Sequence, residues 1–254
     1  MNLTQRIELI KTDRENLSQL ATKYHYLHRP VHQRSSPFGY IVSFDGKTTM
    51  PDSTPCGFIV FASIHFTKHK NLFGYDGLPT KWQVLSLARL WLHDDLPRNS
   101  ETVVISKAIQ PKGLDKISLA GHDWLQVHPP KYLDEPYHIR LIVSYADNTV
   151  GHAGTIYKAS NFECLVKCEY CHANFYSTSK QSIKCPICGV QTSWQPQAII
   201  SESRHKNIRG SGCNGHILTQ YVYRLPEPKS LVSVTSPQLA FDFLKPISRS
   251  VLSA

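Results

Sequence analysis

Residues 139–162, IRLIVSYADNTVGHAGTIYKASNF, limit the architecture more than any other stretch of this chain. Ile139, Leu141 and Val143 alternate on one side and Ile142 supplies the other, so the run predicts a strand covered on both faces, inside a sheet rather than at its edge. The strand stops at Tyr145-Ala146-Asp147, a Gly-rich turn follows, and a short helix begins near Thr155. In open α/β sheets, ligands collect beyond the carboxyl ends of the strands. There this chain offers Ser144, Tyr145 and Asp147, with His152 and Tyr157 just beyond.

The flanking elements follow from periodicity. RIELIKT (6–12) predicts a first strand. Thr12 with Glu15 makes a capping box, and Leu17, Leu20, Ala21 and Tyr24 fall at helical spacing, which predicts a helix over about 13–25 that ends before Pro30. FGYIVSF (38–44) and CGFIVFASIHF (56–66) flank the turn-forming DGKTTMPDSTP and predict an antiparallel hairpin. WQVLSLARLWL (82–92) is a further strand, HDDLPRNS a loop, and ETVVISKAI (101–109) a helix. Four prolines within 111–138 predict a long surface connection, TQYVYRL (219–225) a closing strand, and the Pro- and Ser-rich residues from 226 a loosely ordered tail.

With 254 residues, 41% of them apolar, the chain suffices for one core and an appended module. No run of about 18 apolar residues is present, so no membrane partner is expected. The charged start, MNLTQRIELIKTDRENL, lacks an apolar signal core and predicts a cytoplasmic protein. A formal charge of +9, from 28 Lys and Arg against 19 Asp and Glu, favours polyanionic partners.

Of seven cysteines, four form two C-x2-C pairs, Cys168/Cys171 and Cys185/Cys188, thirteen residues apart. Each tight bend presents two thiolates, and two bends complete a tetrahedron, which predicts a structural zinc ribbon or knuckle. The competing reading is a redox dithiol, which needs no second pair at this distance. Cys164 and His172 are spare donors nearby, whereas Cys56 and Cys213 read as ordinary small residues. Four thiolates leave no open coordination position, so such a zinc would stabilise rather than catalyse.

Around these pairs lie Lys167, Lys180 and Lys184, then Arg204, His205, Lys206 and Arg209, interleaved with Tyr170, Phe175, Tyr176 and Trp194. Basic groups suit phosphates and aromatic rings suit bases, although the same pattern also describes a solvated surface over a small core. His25, Tyr26, His28 and His32 crowd the end of the predicted first helix, where catalysis, metal binding and packing all stay open.

The strand, loop and helix of 82–109 resemble the acyl-CoA site of the GNAT acyltransferase superfamily, as does the order strand, helix, hairpin, strand, helix, strand, helix, strand. The resemblance implies that Arg98, Asn99, Ser100, Glu101 and Thr102 occupy the turn that receives the pyrophosphate, with acyl-CoA as candidate cofactor; the usual glycines are missing there. The expected fold is therefore a mixed α+β sheet, GNAT-like, with an inserted zinc ribbon.

A closer resemblance is to the phage Mu Mom family of DNA adenine-modification proteins, carried by HYLHR (25–29), LARLWLHDDLPRNSET (87–102), LIVSYAD (141–147) and GHAGTIYKASNF (151–162). It covers roughly residues 15–162 and YVYRL (221–225), and leaves the Cys-rich segment and the tail without a counterpart. It implies conversion of adenine in double-stranded DNA to a carbamoylmethyl derivative of its exocyclic amine, which protects against restriction. It also implies catalytic roles for His25, Tyr26, Arg89, Asp147 and Tyr157, and a helix serine matched by Thr102 in spacing or Ser100 in type. Within that scheme Asp147 is the expected base, Tyr157 the acid and Tyr26 the platform that stacks on a flipped adenine. The product joins nitrogen to a methylene carbon, so simple acetyl transfer does not suffice; another donor, a further metal such as iron or an extra step would be needed.

The expected organisation is a catalytic core over 1–162, a four-cysteine insertion over 163–194, a basic loop with the closing strand over 195–225, and a tail over 226–254. Two alternatives accompany the leading reading: a GNAT transferase acting on a protein or small amine, and a non-enzymatic zinc-ribbon DNA-binding protein. The sequence is silent on oligomeric state.

Overall fold

A computed structural model describes residues 2–31, 37–63, 84–109, 139, 141–178, 182–193, 196–200 and 217–225. The expected connection at 111–138, the tail, the basic residues 204–209, Lys180, Trp194, His32 and Cys213 lie outside these described residues.

The chain opens with a one-turn helix, α1 (Leu3–Arg6), closed by a reciprocal capping box between Asn2 and Gln5. It occupies the start of the segment predicted as strand, so β1 runs over Ile7–Thr12. Helix α2 (Arg14–Tyr24) follows, capped by Asp13, whose side chain accepts from the Asn16 amide at 2.8 Å. The expected Thr12 capping box is thus displaced by one residue, because Thr12 completes β1 and its hydroxyl accepts from Asn16 Nδ2 instead. The hairpin forms as expected from β2 (Phe38–Phe44) and β3 (Gly57–Ser63), antiparallel to each other.

Strand β4 (Val84–Leu92) leads into α3 (Ser100–Ile109), and β5 (Leu141–Asp147) lies parallel beside β4. A 3-10 turn (Asn148–Val150) and α4 (Thr155–Ala159) come next. The Cys-rich segment contributes β6 (Glu163–Lys167), β7 (Asn174–Ser177), β8 (Ile183–Lys184) and β9 (Gln191–Thr192). Strands β10 (Ala198–Ile200) and β11 (Ile217–Arg224) complete the described elements.

Nine strands form one mixed sheet in the order β1-β2-β3-β4-β5-β11-β6-β7, with β10 also on β11. The far half of the sheet is built from strands distant in sequence. The closing strand enters the interior, between β5 and β6, and the first two strands of the expected insertion are part of the main sheet. Only β8 and β9 form a separate small sheet among the described residues.

Both faces are covered, as β5 demands. Leu17 and Ala21 of α2 pack on Phe58, Val60 and Ala62, while Val104, Ile105, Ala108 and Ile109 of α3 pack on Ile59, Phe61, Leu85 and Leu87. Ile142 joins the α3 side, and Leu141 and Val143 join Val84 and Val222 on the other. A fully buried aliphatic side chain contributes roughly 1.5–3 kcal/mol. The sheet interior, with Ile59, Phe61, Ile142 and Val222 at 0% exposure, is therefore the rigid frame on which the strand ends are held.

Candidate active site and candidate metal centre

Strands β4 and β5 are paired over three residues, from Val84 opposite Leu141 to Ser86 opposite Val143, and then part. On the β3 side of β4, the register shifts between Val60 and Phe61 and leaves Ala88 without an opposite residue, a bulge of the kind that bends a strand. Across the widening gap Ser144 Oγ donates to the Leu87 carbonyl at 3.1 Å, a side-chain link where backbone pairing has ended. The fork holds a cavity of about 470 Å3, within the range of small-ligand sites.

Its walls come from five places: Tyr24, His25 and Tyr26 at the end of α2; Leu90, Trp91 and Leu92 of β4; Glu101 of α3; Tyr145 and Ala146 of β5; and residues 152–157. Helix α2 stops because His25 turns extended (φ −77°, ψ 142°), and the His28 amide closes a turn on the His25 carbonyl at 2.8 Å. Both His25 and His28 lie beyond the end of the helix. The turn brings His25 and Tyr26 to the cavity.

His25 is 6% exposed. Burial, then the charge of Arg89 and the neighbouring His152 and His28, hold its imidazole down to a pKa of about 3. Its Nδ1 accepts from the Leu27 amide at 3.2 Å, so the neutral ring carries its hydrogen on Nε2. His25 is accordingly a neutral donor and a poor base. Tyr26 lies against its ring at 4.3 Å and meets His152 edge-on at 4.8 Å.

Tyr157 packs between Tyr221 and Phe162, at 5.1 and 5.5 Å between ring centres. Burial raises the pKa of its hydroxyl, opposed by a hydrogen bond with Ser144, so it stays protonated at neutral pH. Tyr145 is pushed up to about 12 by burial and is bonded to Gln220. Gly154 is fixed by two constraints: its φ is +69°, and a Cβ there would lie 2.4 Å from the Tyr221 ring.

The sequence-derived set divides. His25, Tyr26 and Tyr157 meet at the cavity; Arg89 and Asp147 do not line it. Asp147 is 1% exposed, and its carboxylate caps the 3-10 turn through the Thr149 amide at 3.1 Å. Its carbonyl accepts from the His152 amide at 3.0 Å, so it holds the segment that delivers His152. Arg89 donates to the Ala88 carbonyl at 2.7 Å and acts on His25 through its charge.

Of the expected phosphate turn, Arg98 and Asn99 are exposed, Ser100 is buried with its hydroxyl donating to the Pro97 carbonyl at 2.6 Å, and Thr102 is half-buried. The residue of this turn that reaches the cavity is Glu101, in the first turn of α3. A carboxylate there opposes a pyrophosphate, and no glycine opens the backbone to one, so the turn fits a CoA phosphate cradle poorly. Tyr24, Trp91 and Gln220 were not singled out from sequence as site residues, and Glu101 was named only as part of the expected phosphate turn. Glu101 and Trp91 carried a signal, since they occupy the helix start and the strand end that the resemblance already marked.

The four cysteines expected to bind metal come together, all four sulfurs lying within 4.8 Å of one another. Cys168 and Cys188 Sγ are 3.8 Å apart, and Cys171 and Cys185 Sγ 3.7 Å. A tetrahedral ion ~2.3 Å from each sulfur requires separations of about 3.8 Å. Backbone amides, led by that of Cys171, hold the Cys168 thiol down to about 6. The Ala173 amide favours the Cys171 thiolate, yet burial and the surrounding sulfurs push that thiol up to about 12. Four sulfurs at these separations could share one metal ion, which would draw all four into the thiolate form. Cys164 is buried in the core and His172 is exposed, so neither belongs to the cluster. Among the described residues no other group of three ligating side chains is close enough to share an ion.

Of the aromatic residues expected to meet bases, Phe175 is buried and Tyr176 donates to Gln220 Oε1 at 2.8 Å, so both serve structure. Tyr170 is 73% exposed. No helix among the described residues is long and apolar enough to cross a membrane.

The family model of the Mom protein family matches residues 6–118 and 128–226. Methylcarbamoylase mom of Escherichia phage Mu is 35% identical over 81 residues, 32% of this chain and 25% of that protein. The aligned stretch thus spans about a quarter of that relative's length. Arabidopsis thaliana NAA60 in complex with acetyl-CoA is similar in structure at 11% identity and a TM-score of 0.39, covering 86% of this chain and 97% of that one. The spermidine/spermine N-acetyltransferase SpeG of Vibrio cholerae is similar at 8% identity and a TM-score of 0.33, covering 87% and 94%.

Proposed function

Since this chain belongs to the Mom protein family, we propose that it is a transferase that modifies adenine in DNA, attaching a carbamoylmethyl group to the exocyclic amine of a flipped-out nucleotide. The observation that carries this reading is the cavity of the β4–β5 fork, where Tyr24, Tyr26, Trp91, Tyr145 and Tyr157 surround a space of about 470 Å3 beside one carboxylate and two histidines. Aromatic walls suit a purine ring, and polar groups among them suit its edge.

The exocyclic amine of adenine is a weak nucleophile, because its lone pair is delocalised into the ring. Attack therefore needs loss of a proton to a base within hydrogen-bond reach. Glu101 is the carboxylate that lines the cavity, and it takes this role in place of Asp147. As the nitrogen bonds to the methylene carbon of an activated donor, its proton passes to Glu101 and the leaving group departs with the proton of Tyr157. Tyr26 stacks on the base. Neutral His25 donates from Nε2 to an acceptor on the purine or the donor. Asp147 and Arg89 are positioning residues, one through the loop carrying His152 and the other through its charge on His25.

No step involves CoA, whose pyrophosphate Glu101 would repel. At the cysteine cluster, Cys168, Cys171, Cys185 and Cys188 would hold zinc, which would tie the two C-x2-C turns together. The resemblance further implies an anti-restriction role.

Nucleoside mass spectrometry of DNA from cells expressing the chain tests the reading. A modified adenine that disappears in Glu101→Gln and persists in the wild type supports it. Unmodified DNA accompanied by an acetylated protein or amine favours the GNAT alternative, and DNA binding without any product favours the non-enzymatic one.

A further inference from the structure

The two cysteine turns are the same structure twice. One reads Lys167-Cys168-Glu169-Tyr170-Cys171 and the other Lys184-Cys185-Pro186-Ile187-Cys188. In the first, the Cys168 amide donates to the Ala173 carbonyl at 2.9 Å and the His172 amide to the Cys168 carbonyl at 3.0 Å. In the second, Cys185 donates to Val190 at 2.9 Å and Gly189 to Cys185 at 2.9 Å. The residue after each second cysteine is left-handed, His172 at φ 59° and Gly189 at φ 73°. The sulfurs pair crosswise, Cys168 with Cys188 and Cys171 with Cys185, as an approximate two-fold axis through the cluster requires.

This repetition places like side chains at like positions. Lys167 and Lys184, each just before its first cysteine, are both exposed. Tyr170 and Ile187, each just before its second cysteine, are 73% and 70% exposed. Val190 adds a third apolar side chain at 38%. Single exposed apolar residues are ordinary on protein surfaces, but here two occupy equivalent positions of a repeated turn. Neither belongs to the core, in which Phe175, Cys168 and Cys185 of this segment are buried.

We propose that these paired tips are a wedge that grips duplex DNA, the two lysines meeting phosphates and Tyr170 and Ile187 pressing on base steps to loosen the stack beside the target adenine. The proposal rests on the DNA-modifying reading above and gives the cysteine module a task in it. Charge complementarity selects the partner: each apolar prong carries its own lysine, on a chain of net charge +9. Apolar side chains that enter base steps are a general means of unstacking a duplex, and a two-fold pair of prongs matches the two-fold symmetry of its antiparallel strands.

The test compares the wild-type chain, Tyr170→Ala/Ile187→Ala and Lys167→Ala/Lys184→Ala on a fluorescently labelled duplex containing 2-aminopurine. The expected result is about tenfold weaker binding and a lost 2-aminopurine signal for the apolar pair. For the lysine pair, the slope of log affinity against log salt falls by about 2. Metal content and melting temperature stay as in the wild type, which separates these effects from misfolding. Duplex binding and 2-aminopurine fluorescence unchanged in the apolar pair would overturn the wedge. So would concentration-dependent dimerisation, or binding to anionic vesicles, that depends on Tyr170 and Ile187 while DNA binding does not. If the wild type modifies adenine and the variants behave like it, only the wedge fails; if the wild type neither binds nor modifies DNA, the functional reading fails with it.

Discussion

Gln220 joins Tyr145 to Tyr176: its Nε2 donates to the Tyr145 hydroxyl at 2.9 Å, and its Oε1 accepts from the Tyr176 hydroxyl at 2.8 Å. Tyr145 lines the cavity and Tyr176 belongs to the strand that follows the first cysteine turn, so one buried amide ties the site to the Cys-rich segment. Gln220→Leu removes both bonds and is expected to cost about 1–3 kcal/mol of stability, more than Tyr176→Phe, which removes one. Thermal unfolding orders the two variants. Equal destabilisation would show that the amide is not the link.

His25 makes stability fall in acid. Its folded pKa of about 3 lies below the unfolded value near 6.5, so the native state refuses a proton that the unfolded chain accepts. The stabilisation is complete above pH 6.5 and is lost as pH drops towards 3, by up to about 1.4 kcal/mol per pH unit. Urea unfolding of wild type and His25→Phe between pH 7 and 4 checks this. The difference in slope belongs to His25, and parallel curves would contradict the assignment.

Gly154→Ala should damage the fold where the cavity meets the core. The φ of +69° penalises any side chain, and the new Cβ would collide with the Tyr221 ring, which is held in β11. A loss of about 3 kcal/mol is expected, read as a lowered melting temperature. Modification activity is expected to fall with it, because residues 152–157 form one wall.

Removing the metal should loosen more than two turns. The purified chain is expected to hold one zinc, measured by elemental analysis, and to lose it on chelation or on Cys185→Ser. Because β6 and β7 belong to the main sheet, the melting temperature is expected to drop on the order of 10 °C.

Much of this was legible in the chain. The alternation of Leu141, Ile142 and Val143 marked an interior strand, the Gly-rich stretch after it marked a turn, and the two C-x2-C pairs marked positions where ligand chemistry allows few substitutes. What escaped was long-range pairing. Nothing local in TQYVYRL says that it inserts beside β5, and without that placement Gln220 has no visible task. Asp147 read as a base because it ends a central strand. That same strand end begins a 3-10 turn, and its first free amide took the carboxylate. Glu101 was named only with the phosphate turn and given no chemical role, because a lone acid in a first helical turn is ordinary; the parting of β4 from β5, beside a bulge at Ala88, makes it a cavity residue.

Leu92, Ala146 and Tyr157 line the fork and are also members of the main core. Recognition and folding therefore share atoms, and the chain has little freedom to enlarge its binding space without weakening itself. New specificity would evolve more cheaply from Tyr24, Tyr26 and His152, which enter from segments outside the sheet.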